Sequence, residues 1–65
     1  MNKQSKLAAL CSLRQAATNL LNQETGSVEN ITGDLLHTIA NYLHHGPSYL
    51  PRMELLVEKL KKHHE

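Results

Sequence analysis

Five histidines, at positions 37, 44, 45, 63 and 64, and one cysteine, Cys11, are the residues of this 65-residue chain with the most chemistry to offer. Two imidazoles on a helix share a metal ion when they stand three or four residues apart, the spacing that brings both to one face. His37 and His44 are seven apart, and the pairs His44 with His45 and His63 with His64 are adjacent. Neither interval assembles a ligand set, and Cys11 has no second cysteine to complete one, so neither a structural zinc nor any cofactor is expected. The imidazoles can still titrate: the formal charge of +1 with neutral histidines becomes +6 once all five carry a proton, in the range where imidazole ionises. Cys11 lies in a helical run with no glycine-rich turn beside it, the setting of a small core hydrophobe rather than of an activated nucleophile. Asp34, Glu54 and Glu58 form no recognisable pair for acid–base work, and no glycine-rich loop is present to cradle a phosphate. The chain is expected not to be an enzyme.

Four cations, Arg52, Lys59, Lys61 and Lys62, fall in the last quarter of the sequence, where they could meet nucleic-acid phosphates. Glu54 and Glu58 are interleaved among them, and Glu58 stands four residues before Lys62, the spacing of a surface ion pair. The overall charge is close to neutral, and Pro47 and Pro51 break the connection where a helix-turn-helix would need its tight turn. Any DNA contact through these four residues would be weak and salt-sensitive.

The elements that position these groups are legible from periodicity. Leu7, Leu10, Leu13, Ala17, Leu20 and Leu21 step by about three or four and predict a first helix over 3–22. Gly26 offers a left-handed stop, and Ser27 or Asn30 offers the cap of the next helix. Val28, Ile31, Leu35, Ile39 and Leu43 continue the pattern over 28–45, with Gly33 costing about 1 kcal/mol relative to Ala and weakening the early turns. Gly46 and Pro47 end that helix. Ser48 is expected to cap a third helix over 49–63, with Pro51 in its first turn and Leu50, Met53, Leu56, Val57 and Leu60 facing inward. The expectation is one all-α domain of three helices.

Size then bears on assembly. A domain of this length hides only about 60% of the surface its unfolded chain exposes, and one cysteine cannot form an intrachain disulfide. No apolar run approaches the ~20 residues that span a bilayer, and the polar start lacks the features of a secretory signal, so a cytoplasmic location and no membrane insertion are expected. A core built from twelve leucines without Phe or Trp has no large anchor. A second copy of the chain or another protein is the expected supplement. Leu36 and Leu55 lie off the main stripes, and together with Leu10 and Leu13 they are the candidates for a dimer or partner interface.

The stretch Leu13, Arg14, Gln15, Ala16, Ala17, Thr18, Asn19, Leu20, then a polar turn, then Leu35, Leu36, His37, Thr38, Ile39, resembles the AriR/YmgB family of small biofilm and acid-resistance regulators. An apolar, basic helix after a short break completes a likeness that covers roughly residues 13–62. The resemblance implies an all-helical homodimer that acts as a connector, feeding by protein contact into the Rcs phosphorelay. It also implies, through the likeness of that family to the Hha nucleoid modulators, a DNA-associated alternative. The Gly46, Pro47 break is a departure from the family pattern.

Overall fold

The computed structural model describes residues 3–63; His64, one of the residues weighed above, lies outside them. Three helices, α1 (Lys3–Leu21), α2 (Val28–His45) and α3 (Leu50–His63), follow in order, with a 3-10 turn over Pro47–Tyr49 leading into α3. No strand occurs among the described residues, so the chain is all-α.

The turn between α1 and α2 uses both candidate capping residues. Ser27 is the N-cap, its Oγ accepting the N–H of Asn30 at 3.1 Å, which satisfies one of the free donors that every helix start leaves. Asn30 works in the other direction. Its Nδ2 donates to the carbonyl of Leu21 at 2.9 Å and its Oδ1 accepts from the N–H of Gly26 at 3.3 Å. One amide side chain thus holds the end of α1 against the start of α2.

Gly33 corrects the reading of it as a weak point. It is buried where α2 crosses α1, and a Cβ there would lie 2.7 Å from the backbone nitrogen of Leu21, 2.8 Å from the carbonyl of Ala17 and 2.9 Å from Cβ of Leu20. The helical propensity lost at this position permits a close approach that any side chain would block. Ala17 and Ala40, both fully buried, continue the small-residue contact between the helices. At the far end Gly46 takes φ 104° and donates its N–H to the carbonyl of Tyr42 at 2.8 Å, stopping α2 in a conformation that side chains resist.

Ser48 does not cap α3. Pro47 begins the 3-10 turn directly after Gly46, so the chain is already turning before Leu50 and Ser48 lies within that turn, whose start carries no side-chain cap.

The helices do not close into a bundle. α2 packs against both neighbours, but α1 and α3 nowhere come within backbone contact distance of each other among the described residues. The result is an open row with α2 as its spine, 40 × 23 × 15 Å. Its radius of gyration is 12.4 Å, where a compact chain of this length has about 11 Å. Its accessible surface is 4735 Å², against about 4,200 Å² for a compact protein of this mass. Buried apolar side chains are few: Leu10, Ala17, Ile31, Ala40 and Leu56.

Candidate functional site

Among the described residues no three His, Cys, Asp or Glu side chains gather as a metal site would require. Cys11, read from the sequence as a core residue, is exposed. At about 100° per residue it points well away from Ala17, the buried centre of α1. His44 and His45 stack edge to face with ring centroids 4.4 Å apart, and His45 lies 6.0 Å from Tyr49, an aromatic cluster at the α2 end rather than a ligand set. Nδ1 of His37 is buried without a hydrogen-bond partner. No helix among the described residues is long and apolar enough to cross a membrane.

The two faces of the helix row differ in kind. One is marked by the cross-links that span both seams: Arg14 of α1 donates to Oδ1 of Asn41 on α2 at 3.1 Å, and Arg52 of α3 pairs with Asp34 of α2. A helix turns about 100° per residue, so on α2 the residues opposite Asp34 and Asn41 are Val28, Leu36, Ile39 and Leu43, with Thr32 and Glu29 among them. On α3 the same construction places Leu50 and Val57 far round from Arg52. On α1 it places Leu13 and Leu20 away from Arg14. The face opposite the cross-links therefore carries an aliphatic strip, edged on α3 by Glu54, Glu58 and Lys61, and much of the strip is open: Leu43 is 48% exposed, Leu50 42% and Val57 39%.

These exposures revise the sequence picture of which side chains face inward. Leu50 and Val57 were expected inside, yet only Leu56 of α3 is fully buried. The apolar stripe of α3 is wider than the strip α2 covers, so its far edge is bare. Leu7, counted in the first stripe, is exposed at the start of α1.

The four interface candidates separate. Leu13 and Leu36 are half-buried on the aliphatic face. Leu10 is buried in the seam between α1 and α2 and has little surface to offer a partner. Leu55 is 48% exposed but stands on the flank of α3 shared with Lys59 and Lys62, away from the aliphatic face.

The four cations separate as well. Arg52 is engaged with Asp34, and Lys61 pairs with Glu58 at 3.3 Å. Glu58 thus meets the lysine three residues on rather than Lys62, the partner its spacing suggested. Lys61 projects from nearly the opposite side of α3 to Lys59. Lys59 and Lys62 alone share a setting: with His63 they rim a groove of about 440 Å³ between α2 and α3, floored by Ile31 and Leu56. Sequence reasoning did not find this groove, because it depends on how α3 lies across the start of α2.

Comparison with protein-family models, with curated proteins and with solved structures finds no match.

Proposed function

We propose that this chain is a small non-enzymatic adaptor that acts by protein contact, and that its working form is a homodimer closed across the aliphatic face of the helix row. The observation that carries this reading is the uncovered stripe running from Val28 and Leu43 on α2 to Leu50 and Val57 on α3. Each aliphatic side chain taken from water there contributes roughly 1.5–3 kcal/mol, and a stable domain needs two packed layers where this chain supplies an open row. A two-fold axis through α2 would lay one such face on its copy, with Leu13 and Leu36 in the contact and Leu10 behind it. The resemblance to connector proteins of biofilm and acid-resistance regulation supports a cytoplasmic regulatory role, with a signalling or regulatory protein as the partner of the remaining surface.

A nucleoid-type reading through Arg52, Lys59, Lys61 and Lys62 has less support, since two of those cations are already paired and the four do not share one side of α3. Salt separates the two readings. Sedimentation equilibrium should give twice the 7.3 kDa chain mass, unchanged between about 50 and 500 mM salt because apolar burial is not screened. The double substitution Leu43→Glu with Val57→Glu should return it to the single-chain mass. A wild-type particle of one chain would overturn the homodimer, and a sequence-preferring gel shift that survives physiological salt would overturn the adaptor reading.

A further inference from the structure

We propose that the groove between the amino-terminal half of α2 and the carboxy-terminal half of α3 is a docking site for an acidic segment of a partner protein, one that carries an aliphatic side chain. This rests on the protein-contact reading and names the chemistry of the partner. It does not depend on which face closes the dimer.

Charge carries the argument. Lys59 and Lys62 stand three residues apart on one flank of α3, and neither takes part in an ion pair among the described residues. The carboxylate that reaches the groove, Asp34, is matched by Arg52, so the two lysines set the local sign. His63 lines the groove beside them. The turn that starts α2 also opens here, through Gly26 and Asn30, with the positive end of the helix dipole behind it. The unpaired charges at the mouth, Lys59 and Lys62, favour a negative partner.

The floor sets the second requirement. The buried Ile31 and Leu56 supply the groove's apolar lining, beside Lys59 and Lys62, residues whose methylene stems can pack along apolar surface. A volume of about 440 Å³ lies inside the ~300–1,000 Å³ range of ligand sites and has room for an anchoring side chain. Leu55, four residues before Lys59 and 48% exposed, extends an aliphatic strip along the same flank. An amphipathic acidic helix offers both features at once, aliphatic groups at every third or fourth position and carboxylates between them. Duplex DNA offers phosphates without the aliphatic group, and two free cations are few for phosphate-driven binding. The groove lies on the cross-linked side of the row, opposite the aliphatic face, so both surfaces can be occupied together.

Fluorescence anisotropy with a labelled synthetic peptide of about twelve residues, Leu at every third or fourth position and Glu elsewhere, tests this directly. The full chain should bind it, and the double substitution Lys59→Glu with Lys62→Glu should weaken binding by about tenfold or more, while Lys61→Glu, on the other side of the helix, changes it less than about twofold. Circular dichroism and sedimentation of the doubly substituted chain should match wild type, which separates loss of docking from loss of folding or of the dimer. If the dimer fails to appear while the acidic peptide still binds in this pattern, docking stands and the closure reading alone falls. Absence of binding overturns the proposal. So does equal binding of the peptide with Gln in place of Glu, equal damage from Lys61→Glu, or preference for duplex DNA of about 20 base pairs over the peptide.

Discussion

The two seams of α2 are built differently. Toward α1 the contact is made of small residues: Gly33 against the backbone of Ala17 and Leu21, with Ala17 and Ala40 fully buried. It is tied at one end by Asn30 to the carbonyl of Leu21 and at the other by Arg14 to Asn41. Toward α3 a single fully buried side chain, Leu56, is joined by the Arg52–Asp34 pair, half open to water. The first seam fixes backbone against backbone. The second anchors a helix by one leucine and an ion pair of the exposed kind, worth about 0–1 kcal/mol. The chain contains one well-specified helical hairpin and one helix whose outer apolar edge is uncovered.

Substitutions at the seams give this contrast numbers. Leu56→Ala should cost the most, about 2–5 kcal/mol, because it empties the only large fully buried site of α3; chemical denaturation should show a lower midpoint, with α3 amides losing exchange protection first. Gly33→Ala comes next at about 1–3 kcal/mol. In an exposed helix the same change stabilises by about 1 kcal/mol, so a raised melting temperature would show that the first seam is looser than described. Asn30→Ala removes two hydrogen bonds across the turn and should cost about 1–2 kcal/mol by the same assay. Asp34→Ala should be the mildest, under about 1 kcal/mol and smaller still in high salt. If Asp34→Ala rivals Leu56→Ala, the ranking of the second seam is inverted.

Much of the fold was legible in the residues. The three apolar stripes, the Gly46–Pro47 stop and Pro51 in the first turn of the last helix are local signals, and each finds its element. Relations between helices were not legible in the same way. Periodicity marks Leu50, Leu56 and Val57 as one stripe, but only the placement of α3 decides that Leu56 is covered and the other two are bare. Gly33 shows its cost in the sequence and its purpose only at the crossing, since close approach belongs to two helices together. The usual behaviour of a lone helical cysteine points to the core, yet Cys11 is exposed because it stands about 120° round α1 from the buried Ala17. The groove bounded by Lys59 and Lys62 required the same tertiary information, whereas the cations themselves were visible from the start.

Hydrogen exchange of the wild-type chain across dilution shows whether a second copy completes the open row of helices. Between about 100 µM and 1 µM, dissociation should raise exchange along α3 and along the outward residues of α2, while the contact between α1 and α2 around Gly33 keeps its protection longest. Protection that is uniform over the three helices and indifferent to concentration would contradict the account.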